Sequence, residues 1–150
     1  MSSLLNTADV TAALVDLLNS HPDTMGYLKN IERGEYVNKD PALTPWCGVY
    51  RTEINYEPRQ LGHHARTWLS LLTVKLVVQA HAGTGPDTED ELENTVQRVM
   101  TAVLSDLTIG GTVEMLKKMN IQYSYDETNS STLDFQWAFI ELVYETRTGT

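Results

Sequence analysis

The sequence predicts an α+β fold: a mainly antiparallel sheet with a long hairpin, packed on one face by two main helices. Three observations carry this. Apolar residues recur at helical spacing in two capped segments, Thr7–Leu18 and Thr88–Leu107. Runs rich in Val, Ile, Tyr and Trp alternate like strands between and after them. Two of those runs are separated only by the loop Glu57-Pro58-Arg59-Gln60-Leu61-Gly62-His63-His64-Ala65, so they read as a hairpin with a long tip.

The elements follow in order. Asn6-Thr7-Ala8-Asp9 opens the first helix, with Thr7 as N-cap and Asp9 favourable in the first turn. Val10, Ala13, Leu14, Leu17 and Leu18 form its apolar face, and Ser20-His21-Pro22 ends it. From Met25 to Pro45 the chain is mostly irregular, with one short strand near Asn30–Arg33 and an end kept extended by Pro41 and Pro45. Cys47–Tyr56 reads as the first hairpin strand and Arg66–Ala80 as the second. At about 3.3 Å per residue the second strand reaches some 45 Å, against a body roughly 40 Å across, so it either bends or projects; projection is expected.

After the turn Ala82–Asp87, Thr88-Glu89-Asp90-Glu91 follows the capping-box pattern. Leu92, Val96, Val99, Val103 and Leu107 make one stripe, with Glu93, Asn94, Gln97 and Arg98 facing water and Gly110 placed to end the helix. Val113–Met119 fits either a short helix or an extended segment. Ile121–Tyr125 and Leu133–Arg147 read as strands joined by Asp126–Ser131. In the last strand Phe135, Trp137, Phe139 and Val143 alternate with Ala138, Ile140, Leu142 and Tyr144, so both faces are expected to be covered, one by helices and the other by a neighbour.

A length of 150 residues fits one domain, long enough to bury about two thirds of its unfolded surface. With 11 basic and 20 acidic residues the formal net charge is -9, and only Lys117-Lys118 are adjacent among the basic ones. A scattered basic set disfavours tight nucleic-acid binding. Cys47 is the single cysteine, which excludes an intrachain disulfide and fits a reducing compartment. The first 20 residues contain Asp9 and Asp16 and no sustained apolar run, so neither a signal peptide nor a membrane span is expected, and synthesis is expected in the cytosol.

Catalytic and metal chemistry find little support. His63 and His64 are adjacent rather than spaced to converge on a metal, and an exposed loop tip accounts for them. Cys47 lacks a local nucleophile motif and reads as a small buried residue. The acids Asp87–Glu93 lack the pattern of a calcium loop and suit a helix start. Gly83-Thr84-Gly85-Pro86 is followed by acids rather than Lys-Ser/Thr, so it is no phosphate cradle. Asp134 and Glu141 sit on a strand whose other residues are apolar, and a paired acid/base role for them would need a pocket. Trp46, Trp68 and Trp137 suit core packing by default and interface anchoring in part. No cofactor and no metal is expected, and the protein reads as a non-enzyme.

The order of these elements resembles a family. An N-terminal helix built on Leu14-Val15-Asp16-Leu17-Leu18 precedes an extended region and two strands. Then come an acid-started helix, Leu107-Thr108-Ile109-Gly110-Gly111-Thr112-Val113, and a closing aromatic strand ending Val143-Tyr144-Glu145-Thr146-Arg147. This resembles the tail terminator (tail completion, or tail-to-head joining) proteins of long-tailed bacteriophages. The resemblance covers most of the chain and is sharpest from Glu91 to Arg147.

It implies an α+β subunit of a homohexameric ring at the head-proximal end of a virion tail, made in the host cytoplasm. Such a ring caps the tail tube protein, stops its polymerisation and docks onto the head connector or stopper protein. DNA only passes through the lumen, and no membrane is involved. The family defines no catalytic residues to carry over. The hairpin tip read from the sequence supplies a candidate subunit or tube interface: Arg59, Gln60, Leu61, His63, His64, Arg66 and Trp68. The nearest alternative is a head-closure or connector-adaptor protein of the phage neck. A small ligand-binding or hydrolytic α+β domain and a cytosolic regulatory oligomer are alternatives from other classes.

Overall fold

The chain alternates helix and sheet in the order α1 (Thr7–Ser20), β1 (Asn30–Arg33), β2 (Trp46–Leu61), β3 (Ala65–Ala80), α2 (Gly85–Ser105), β4 (Met115–Tyr125) and β5 (Gln136–Gly149). A computed structural model describes residues 4–34, 44–61, 65–81, 85–125 and 136–149. One sheet has the order β1-β2-β3-β5-β4, with β1 parallel to β2 and all other neighbours antiparallel. This is the expected α+β architecture, with both helices packed on the sheet.

Register decides which side chains meet the helices. Leu72, Val74, Leu76 and Val78 of β3 lie opposite Tyr144, Leu142, Ile140 and Ala138 of β5, and Cys47 and Val49 of β2 extend the same rows. All of these are buried in one cluster with Val10, Leu14 and Leu18 of α1 and Leu92, Val96, Val99 and Val103 of α2. The alternate residues behave differently. Trp46 and Val77 are buried outside that cluster, whereas Trp137, Phe139 and Val143 are half-buried. The two-faced closing strand is thus sealed by helices on its even-numbered side only. Phe135 lies outside the described residues.

Several boundaries differ from the sequence expectation, each for a local reason. Asn6, not Thr7, caps α1: its Oδ1 accepts from the backbone N–H groups of Ala8 and Asp9 at 3.1 and 3.2 Å. The Thr7 hydroxyl is instead taken by an Arg51 guanidinium N–H at 2.8 Å. The first hairpin strand does not stop at Tyr56 but pairs through Leu61, which lies opposite Ala65, so the tip is short. Pro58 is tolerated because, among the described residues, β1 pairs with β2 only from Trp46 to Val49, so that no described strand lies on the outer side of β2 at Pro58 and a missing N–H there breaks no ladder.

Helix α2 begins at Gly85, ahead of the supposed capping box, because Pro86 is already set for a first helical turn. Thr88 is therefore buried inside the helix. Glu91, the other half of that box, accepts a hydrogen bond from the Tyr27 hydroxyl. Tyr27 also receives Asn94 Nδ2 at 3.1 Å and carries Arg98 over its ring at 4.1 Å. Arg98 in turn donates to the Asp23 carbonyl at 3.0 Å, so it is half-buried rather than facing water. These contacts fasten the segment after α1 to α2.

The helix stops at Ser105, leaving Leu107 exposed, and Gly110 belongs to the turn beyond it. Asp106 organises that turn. Its carboxylate accepts from the Gly110 N–H at 2.7 Å, the Thr108 hydroxyl at 2.8 Å and the Thr108 N–H at 3.1 Å. Ile109, Gly110 and Gly111 are all left-handed, with φ of 48°, 64° and 81°. The fully buried Ile109 side chain compensates a backbone that β-branched residues avoid. The ambiguous Val113–Met119 segment is extended: β4 runs from Met115 to Tyr125 with a register shift between Leu116 and Lys118.

The hydrogen bonds from Gly110 and Thr108 hold the Asp106 carboxyl below its ordinary value of 3.8. A depressed carboxylate contributes stability above its unfolded value, and that contribution is lost as pH falls through the folded value. Asp106→Asn is expected to lower the melting temperature at neutral pH and to flatten the acid limb below about pH 4. Melts from pH 7 to pH 2 that run parallel in the two proteins would refute this.

Tyr144 gives a prediction of opposite sign. It is fully buried, and its hydroxyl finds no hydrogen-bond partner among the described residues. Burial first, and the nearby Asp106 charge second, push its pKa up from 10.0. Tyr144→Phe removes an unsatisfied polar atom and is expected to be neutral or stabilising by up to about 1 kcal/mol in urea titrations. A loss above that range would reveal a partner for the hydroxyl.

Candidate functional site

The hairpin supplies the first candidate surface. Among the described residues none of the core cluster or packed against it lies beyond Ile54 on β2 or before Leu72 on β3, although Leu69 and Ser70 are themselves buried. The strands nevertheless stay paired to Leu61 and Ala65, and β5 accompanies β3 as far as Thr67. A strand-built arm therefore extends past the helix-packed body. On it Trp68 is 37% exposed and meets Tyr56 edge-on, ring centroids 6.5 Å apart. Of the other predicted interface residues, Arg59, Gln60, Leu61 and Arg66 occupy paired backbone positions on the arm, and their side chains lie outside the described set. His63 and His64 lie outside the described residues altogether.

Residues weighed for chemistry are dispersed. Cys47 is fully buried, and burial pushes its thiol up to about 12, so it is held as an unreactive thiol. His81 is half-buried just after β3. Glu141 faces Lys75 across the β3–β5 ladder at 3.9 Å, a half-exposed ion pair worth little. Among the described residues no group of three His, Cys, Asp or Glu side chains gathers as a metal site, and no helix is long and apolar enough to cross a membrane.

Two clefts lie near opposite edges of the sheet, on the helix side. Beside β1 and the start of α1, Thr11, Arg33, Gly34, Val49, Tyr50 and Arg51 line an open cleft of about 380 Å³. Arg33 and Val49 are register partners on parallel strands, and Arg51 follows two residues on. That spacing turns both guanidiniums to one face. Beside β4, Glu89, Asp90, Leu92, Glu93, Tyr123 and Gln136 line a cleft of similar size. The Tyr123 hydroxyl donates to Glu93 Oε2 at 3.1 Å, tying the edge strand to α2. The first cleft is cationic and the second anionic.

The sequence reading missed both. Nothing in the spacing of Arg33 and Arg51 signals proximity, because a parallel pairing across a long connection brings them together. Helix capping accounts for the acids on sequence grounds, and only the pairing of β4 with β5 brings Tyr123 and Gln136 beside them. Compared with known proteins, the chain matches no family model and no curated relative.

Proposed function

We propose that the protein is a non-enzymatic virion assembly subunit that forms a ring on a completed phage tail tube. In this reading the ring ends tube polymerisation and presents the docking surface for the head connector. The observation that carries it is the division of the molecule into a helix-packed body and an arm reaching beyond it. A body of this kind suits a ring, and an arm with an exposed tryptophan suits contact with a neighbouring subunit or the tube. The element order from the N-terminal helix to the closing aromatic strand supports the same reading. A net charge of -9 lets DNA slide past a ring lumen without adhering.

The test is direct. Purified tail tubes, mixed with this protein and imaged in negative stain, are expected to carry a ring at one end and to stop lengthening when tube subunits are added. Tubes that stay uncapped and keep growing would sink the proposal. A ring that binds the isolated head connector but never the tube would favour the connector-adaptor reading instead.

A further inference from the structure

We propose that the two clefts are complementary halves of one contact between copies of this chain. The cationic cleft of Arg33 and Arg51 on one subunit receives the acidic start of α2, Glu89 and Asp90, on the next. The inference rests on the ring reading above and assigns the ring its subunit interface.

Unmatched charge is the observation behind it. Among the described residues Arg33 makes no side-chain hydrogen bond or ion pair, and Arg51 meets only the Thr7 hydroxyl at 2.8 Å. Among the described residues neither guanidinium meets a carboxylate. Glu89 and Asp90 are likewise exposed and, among the described residues, make no side-chain hydrogen bond or ion pair. Glu93, beside them, is held by Gln97 at 2.8 Å and by Tyr123. Glu93 is thus fixed in place, and Glu89 and Asp90 stand beside it on the first turns of a long helix.

Placement makes the charges complementary between copies rather than within one. The cationic cleft borders β1 and the anionic one borders β4, the two ends of the strand order. Four strand spacings, about 19 Å, separate those ends, beyond the reach of a side chain across the sheet. The half-exposed Tyr123 on β4 lines the same cleft and adds apolar area next to the acids. A contact joining two different patches is heterologous. It propagates in one direction and closes into a ring when the rotation per subunit divides a full turn.

The test uses two charge-reversed chains, Arg33→Glu with Arg51→Glu, and Glu89→Arg with Asp90→Arg. Sedimentation velocity at high chain concentration and low salt is expected to show the unaltered protein self-associating, with the association lost as salt rises. Each variant alone is expected to stay monomeric, and the equimolar mixture to associate at least about tenfold more tightly than either alone. Circular dichroism checks that both are folded; if either is not, the single variants Arg33→Glu and Glu89→Arg replace them. A wild-type protein that stays monomeric, variants that associate like wild type, or a mixture that remains monomeric would each overturn the interface. Failures of the two proposals separate cleanly. Rings that form on tubes from either variant alone refute the interface and leave the tail function standing. Charge-restored association without tube binding does the reverse.

Discussion

Truncating Ile140 to alanine is expected to cost about 3–4 kcal/mol of folding stability, the range for a well-packed buried aliphatic side chain. Phe139→Ala, one residue earlier, is expected to cost less than half as much despite removing a larger group. Ile140 is fully buried against the helices, whereas Phe139 points to the other side of β5 and is half-buried. A half-exposed ring has less transfer free energy to lose, and its removal leaves a dent rather than a closed cavity. Urea titrations of the two variants measure the difference directly. Equal losses would mean that both sides of β5 are sealed alike.

The second large effect is expected at Gly48. A Cβ built there would lie 2.6 Å from Trp46 Cη2 and 3.1 Å from the Gly34 carbonyl oxygen. Trp46 is fully buried, so its ring cannot swing aside freely, and the Gly34 carbonyl is backbone. Gly34 also donates its N–H to the Val49 carbonyl at 2.9 Å, which fixes β1 close to β2. Gly48→Ala is therefore expected to destabilise the fold by about 2–3 kcal/mol and to change tryptophan fluorescence. By shifting β1 it also displaces Arg33 relative to Arg51. A Gly48→Ala protein as stable as wild type would show that the strands separate easily at this point.

Much of the fold was legible because its driving pattern is local. The α2 stripe Leu92, Val96, Val99 and Val103 is buried as its spacing predicted, and the even-numbered residues of β5 face the helices. What failed to show depends on partners distant in sequence. Pro58 reads as a loop residue until β2 is known to have a free edge there. Leu107 continues the stripe on paper, yet Asp106 gathers the following N–H groups and ends the helix first. Among the candidate site residues, Trp68 is 37% exposed on the arm rather than packed in the core, the default for a tryptophan. The two clefts were invisible because each joins segments that only tertiary pairing brings together.

The free edge of β2 has a further consequence. Beyond Val49 no described strand pairs with its outer side, the kind of edge onto which stray chains add strands without limit. Pro58 interrupts that edge, the register shift between Arg51 and Glu53 distorts it, and the exposed Glu53 and Glu57 repel a second acidic chain laid alongside. The arm is thus guarded against runaway sheet growth. Any contact it makes is left to side chains, which discriminate between neighbours where a bare strand edge does not.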